Sequence, residues 1–167
     1  MGGRTRAGAI DGTLGRLILV GALLAALLLI AAEFMTLYQV HLANRGSPIQ
    51  SVAAGSHNSY AMIPVGLLAG ALAIAAWQTA SRAALVAIGL LGVVALLIAL
   101  VGDLPDAHAV GLADNNRVGA STTPNAGLYV ETFGAILLIA TSGLGLALLG
   151  LPGETTRPGR KSRTERK

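Results

Sequence analysis

The stretch LLLIAAEFMTLYQVH, residues 27–41, carries an apolar run straight past a glutamate, Glu33. How that glutamate is read decides the architecture. The 16 residues between Arg16 and Glu33 hold no charge. That falls short of the roughly 20 residues a helix needs to cross a hydrocarbon core of roughly 30 Å. With Glu33 counted inside the span, the run extends from Leu17 to Tyr38 and becomes long enough.

Three further windows reach spanning length unaided. Uncharged runs of 24, 20 and 22 residues separate His57 from Arg82, Arg82 from Asp103, and Glu131 from Glu154. The 167-residue chain is 53% hydrophobic and 12% charged, where soluble domains carry about 25% charged residues. Four soluble helices of this kind would be apolar nearly all round, with no surface layer to cover them. The sequence therefore predicts an all-α membrane protein, a four-transmembrane-helix antiparallel bundle. Its spans lie near 15–39, 60–79, 83–102 and 128–151, within a domain covering 15–151. Residues 1–14 form a basic cytoplasmic tail, and 152–167 a second one that is disordered by composition. A secretory signal at the first helix is disfavoured because its apolar run is long and no small-x-small cleavage site follows.

Orientation follows from charge. Ten of the twelve basic residues lie in the N-terminal tail, at Arg82 and in the C-terminal tail; Arg45 and Arg117 are the exceptions. The positive-inside rule then puts both termini in the cytoplasm and both longer loops outside. The expected location is the bacterial cytoplasmic (inner) membrane, in a multi-pass arrangement. The expected partners are the lipid bilayer, anionic lipids at the basic tails, and another membrane or external protein. The basic tail is read as a topology signal and not as a nucleic-acid site. With no cysteine in the chain, disulfides and thiolate chemistry within it are excluded.

The two external loops are rich in turn residues. Within them PIQSVA and HAVGLA are short enough and apolar enough to pair as strands outside the membrane. The connection around Thr79–Arg82 is tight and makes the second and third spans antiparallel neighbours.

On a helical wheel Glu33 falls among Gly21, Ala22, Ala25, Ala26, Ala32 and Thr36, opposite Leu23, Leu24, Leu27, Leu28, Phe34 and Met35. Small residues mark close helix–helix approach in lipid, so Glu33 is expected to point into the bundle. It lies roughly 25 Å along the helix from Arg16, just beneath the outer boundary. A carboxylate there costs less than the roughly 3 kcal/mol assigned at mid-bilayer. Gly66 and Gly70 mark a packing face on the second span. Gly92, Ala95, Ala99 and Gly102 do so on the third, and Gly134, Gly143 and Gly145 on the fourth.

Topology gathers further polar residues at this level. Asp103 ends the third span, Asp106 and His108 follow, Glu131 lies one turn into the fourth, and the loops add His41, Arg45, His57 and Arg117. The first expectation is structural: Glu33, Glu131 and Asp103, with Asp106, pair with Arg45, Arg117 or loop N–H groups, since carboxylates in membranes take partners. A second reading is a divalent metal such as zinc held by His41, His57 and His108 with the acids. A third is small-solute or proton handling by Glu33 and Glu131. No cofactor is implied otherwise. Walker, Rossmann and H-E-x-x-H patterns are absent, and no nucleophile elbow is present, so the sequence points away from an enzyme. Tyr38, Tyr60, Tyr129, Phe34 and Phe133 fit an outer aromatic belt and Trp77 an inner one.

The segments AEFMTLYQV, AGSHNSYAMIPVGLLA, IALVGDLPDAH and LYVETFGAILL together resemble small four-span integral membrane proteins of actinobacterial type, a group with no assigned function. The resemblance covers about residues 15–151 and implies the architecture but no activity. The tetraspan junction proteins are a poor match, because their first external loop carries a Trp and a Cys pair that this chain lacks. The functional expectation is a non-enzymatic accessory, scaffold or sensing component whose external loops form the recognition surface.

Overall fold

The computed structural model describes residues 13–42, 50–57, 60–108, 110–113 and 118–150. Four stretches are long and apolar enough to cross a membrane: Thr13–Ala32, Met62–Thr79, Arg82–Ala107 and Ala126–Gly150. The first is α1, the second α3 and the fourth α6. The third is composite: helix α4 (Arg82–Leu97), a π-helical segment (Ile98–Asp103) and helix α5 (Leu104–Ala107). A single turn, α2 (Ala54–His57), precedes α3. The long helices pack in a ring of contacts, with α1 against α3 and α6, and α4 against α3 and α6.

Small residues make this packing possible. On α1, Ala22, Ala25, Ala26 and Ala32 are buried, whereas Leu23, Leu24 and Leu27 are exposed. A Cβ at Gly66 would stand 2.8 Å from the Ala26 carbonyl oxygen and 2.7 Å from Ile30 Cγ1. The α1 and α3 backbones thus meet where the sequence places its small-residue stripe. Between α3 and α4 the chain turns in two residues. Ala80 takes a left-handed conformation (φ 50°), and the Ser81 hydroxyl accepts the Ala84 N–H to cap α4. At the same end the Arg82 guanidinium donates to the Leu149 carbonyl in the last turn of α6, where a cation complements the helix dipole.

At the opposite end lies a four-stranded antiparallel sheet of order β2-β1-β4-β3. Its strands are β1 (Thr36–Leu42), β2 (Gln50–Ala53), β3 (Val110–Ala113) and β4 (Val118–Pro124). This corrects the expected first span, which does not run to residue 39. The helix ends at Ala32, and the N–H groups of Phe34 and Met35 bond three residues back to Ala31 and Ala32. The sequence TLYQVHL then forms a central strand. Its β-branched and aromatic residues suit a pleated surface, and pairing on both sides satisfies its backbone. The strand expectation is also corrected. Residues from PIQSVA and HAVGLA do form β2 and β3, but these are the two sheet edges and do not pair with each other. They are separated by β1 and β4, so each of the two longer inter-span loops supplies its own hairpin and the two hairpins join through the β1–β4 ladder.

Candidate functional site

The sheet is fastened to the helices where the expected polar residues converge. The Leu37 carbonyl accepts the Asn125 N–H at 2.8 Å, and Asn125 Oδ1 in turn accepts the Ala126 N–H at the start of α6. The Glu33 carbonyl accepts the Gly55 N–H at 2.9 Å, and the Met35 carbonyl the Ala54 N–H at 3.1 Å. The β1–β2 register shifts between Thr36 and Tyr38. A bulge of this kind re-aims side chains. Leu37 is fully buried with Ala54, Ala107 and Leu128, and Tyr38 packs against the same cluster.

Beneath this cluster lie Glu33, Asp103 and Glu131, exposed by 1%, 0% and 0% respectively. They come from three different elements. Glu33 is the first residue past α1, Asp103 closes the π segment and Glu131 sits in the second turn of α6. Glu33 lies within electrostatic reach of Asp103. Glu131 lies within reach of both, and its carboxyl is close enough to that of Asp103 for a hydrogen bond between them. Such a bond needs a proton on one of the two, because an ionised carboxylate only accepts.

Among the described residues Glu33 has one donor. The Met62 N–H points at Glu33 Oε1 at 2.6 Å. This accounts for the start of α3, whose first N–H groups lack intrahelical partners. Met62 gives its proton to Glu33, Ile63 bonds to the Tyr60 carbonyl at 3.2 Å, and Pro64 has none to give. The carboxylate also sits at the positive end of the helix dipole. Burial pushes the Glu33 carboxyl above its ordinary range; the Met62 N–H opposes that shift and the charge of Asp103 adds to it. Glu33 Oε2 and both oxygens of Glu131 find no donor among the described residues.

The burial of Asp103 rests on the π segment. Ala95, Ala99, Asp103 and Ala107 are all buried, at intervals of four. In a regular α-helix that spacing drifts by about 40° per step, which would carry Asp103 and Ala107 off the packing face. The wider winding of the π segment cancels the drift. Its cause is local. Pro105 offers no N–H to the preceding turn, and its ring crowds the carbonyl four residues back; the Leu104 N–H bonds five residues back, to Ala99. The expected small-residue stripe through Gly102 is thereby corrected, since Gly102 is exposed and Asp103 takes the inward position.

Of the remaining sequence candidates, Asp106, His41 and His108 are described and lie nearer the surface. Asp106 is exposed; its carbonyl accepts the Thr122 hydroxyl at 2.6 Å, tying α5 to β4. Its charge, with that of Asp103, reinforces burial in raising the Tyr38 phenol above its ordinary value. Tyr38 thus borders the acidic centre. Phe34, Tyr60, Tyr129 and Phe133 are exposed, and the first two rings stand 6.5 Å apart. His41 bonds through Nε2 to the Thr123 hydroxyl at 3.2 Å, and His108 through Nδ1 to the Leu104 carbonyl at 3.1 Å. His57 ends α2, and its side chain, like Arg45 and Arg117, lies outside the described residues. Among the described residues no three His, Asp or Glu side chains are grouped to hold a metal ion. The residues missed in the sequence are those acting through the backbone, Met62 and Leu37, together with Asn125 and Thr122.

No protein-family model, curated protein or solved structure matches the chain.

Proposed function

We propose that the chain is a multi-pass protein of the bacterial cytoplasmic membrane, an antiparallel four-helix bundle with both termini cytoplasmic. It acts as a non-enzymatic accessory or sensing scaffold, and its external sheet is the recognition surface. One observation carries this reading: the two external hairpins merge into a single sheet that is tied to the helix ends by backbone bonds from Glu33, Met35 and Leu37. A sheet fixed in this way presents a rigid face with little ordering entropy left to lose on binding. The acids beneath it are shut away from solvent, which suits a supporting role and leaves a soluble substrate no access. The basic tails rest on anionic headgroups of the inner leaflet.

The absence of cysteine gives a direct test. Single cysteines at Ser121, on β4, and at Thr79, beside the tight turn, are labelled in intact cells with a membrane-impermeant maleimide. The expected result is labelling at Ser121 and none at Thr79 until the cells are opened. The reverse pattern overturns the orientation. Photocrosslinkers at Ser121 and Gln39 are then expected to trap a discrete protein adduct in cells. A sheet that traps none overturns the recognition role.

A further inference from the structure

Three carboxyl groups, on Glu33, Asp103 and Glu131, lie buried at the junction of helices and sheet. The end of α1 contributes Glu33, β1 contributes Tyr38, the π segment Asp103, α5 Asp106, and α6 Glu131. At the end of α5, His108 is engaged by the Leu104 carbonyl. From α3 comes only the Met62 N–H, and β4 offers the Thr122 hydroxyl, already given to the Asp106 carbonyl. The charges that act on Glu33 and Glu131 are those of the other carboxyls. Both oxygens of Glu131, which is fully buried, and Oε2 of Glu33 face this centre without a donor among the described residues. Two ionised carboxylates sharing a dry site repel strongly, and such pairs hold a proton between them. A metal would answer the same need, but among the described residues no three His, Asp or Glu side chains are grouped to ligate one.

We propose that Glu33, Asp103 and Glu131 form a proton-binding site, in which one proton shared between Asp103 and Glu131 locks the helix ends to the external sheet and its release loosens that junction. The chemistry is a simple dissociation. The bound carboxylic acid gives its proton to water, and the site gains one negative charge. The geometry makes the consequence mechanical, since the same residues carry the ties. The Glu33 side chain caps α3 while its carbonyl holds Gly55 of the turn that follows β2. Asp103 adjoins α5, which is bonded to β4, and Glu131 lies one turn beyond Gly127, against which β1 begins. Charge repulsion among the three therefore pushes α1, the third span and α6 apart at the level of the sheet. The inference rests on the proposed function only for which side of the membrane the proton comes from.

The test uses the full chain purified in detergent, so it does not depend on orientation or on any partner. Infrared difference spectra are recorded across roughly pH 5 to 10 for the wild type, Glu131→Gln and Asp103→Asn. Solvent-exposed carboxyls are ionised at neutral pH, so a protonated-carboxyl C=O band there reports a buried acid. The expected result is a band present at neutral pH in the wild type, bleached at alkaline pH, and lost in Glu131→Gln. Hydrogen-exchange protection of the Asn125 and Gly55 amides should fall as the band bleaches. The proposal is overturned if the wild type shows no such band at neutral pH, or if the band survives in both variants. It is equally overturned if amide protection ignores the titration. The wild-type band and its exchange profile decide the matter even if a variant fails to fold.

Discussion

The carboxylate of Glu33 accepts the backbone N–H of Met62 at 2.6 Å, across 29 residues of sequence. A side chain from the end of one helix thus caps the start of another, and both groups are buried. Removing one partner of such a bond leaves the other desolvated and unmet, at a cost of about 1–3 kcal/mol. Glu33→Ala should lose that much stability in detergent. Glu33→Gln keeps an acceptor for Met62 and, like the protonated acid, is uncharged beside Asp103, so it should stay within about 1 kcal/mol of the wild type. The thermal midpoints of the two variants check this. An Ala variant as stable as the Gln variant would show that the cap contributes nothing.

The same carboxyl sets a pH dependence. Burial and Asp103 together raise its proton affinity in the folded state above the ordinary value of 4.5. The folded state therefore holds a proton that the unfolded chain releases. Stability tied to this group is full below about pH 4.5 and is lost as pH rises through the higher folded value. The thermal midpoint in detergent should fall as pH rises above the ordinary carboxyl value, and the fall should be shallower in Glu33→Gln. A midpoint that rises over this range would mean that the capped, ionised form dominates.

The spans were legible because lipid demands long uncharged windows, and Glu33's inward direction was legible because small residues mark packing faces in lipid. Two features hid the rest. LYQVHL continues the hydrophobicity of α1, so a strand buried against helix ends looks like more helix. VGASTTP, which forms β4, lacks the bulky alternation by which strands are usually read. The acidic centre was legible as a set of residues at one membrane level but not as a contact. The inward position of Asp103 depends on a π segment created by Pro105, and the donor to Glu33 is a backbone N–H that no side-chain pattern reveals.

The junction of α6 with β1 leaves no space for a side chain. A Cβ at Gly127 would stand 2.7 Å from the Thr36 carbonyl oxygen and 3.0 Å from its carbon. Backbone cannot swing aside as a side-chain tip can, so the strand would have to shift. Gly127→Ala should destabilise by about 1–3 kcal/mol and should expose the Asn125 amide to exchange. Gly143, on the same helix, has nothing within 4 Å of its Cβ position. There Gly143→Ala should be neutral or stabilising by up to about 1 kcal/mol through helix propensity. Equal losses at both positions would mean that the helix itself, and not its junction with the sheet, is the sensitive element.

A last prediction concerns the contact between α4 and α6 within the membrane. The Ser142 hydroxyl donates to the Leu85 carbonyl at 2.7 Å, and both groups are buried. A Cβ at Gly89 would stand 2.7 Å from the Ser142 oxygen and 3.4 Å from its Cβ. The clash is therefore with the hydroxyl alone. Ser142→Ala should cost little, since interhelical hydrogen bonds in lipid average about 0.6 kcal/mol. Gly89→Ala should cost more, because the hydroxyl must rotate away and abandon its carbonyl. In the double variant the clashing atom is gone and the remaining 3.4 Å distance is ordinary contact. The double variant should then be more stable than Gly89→Ala alone, a coupling on the order of 1 kcal/mol. Strict additivity of the two changes in a thermal-unfolding cycle would mean that α4 and α6 do not meet at these residues.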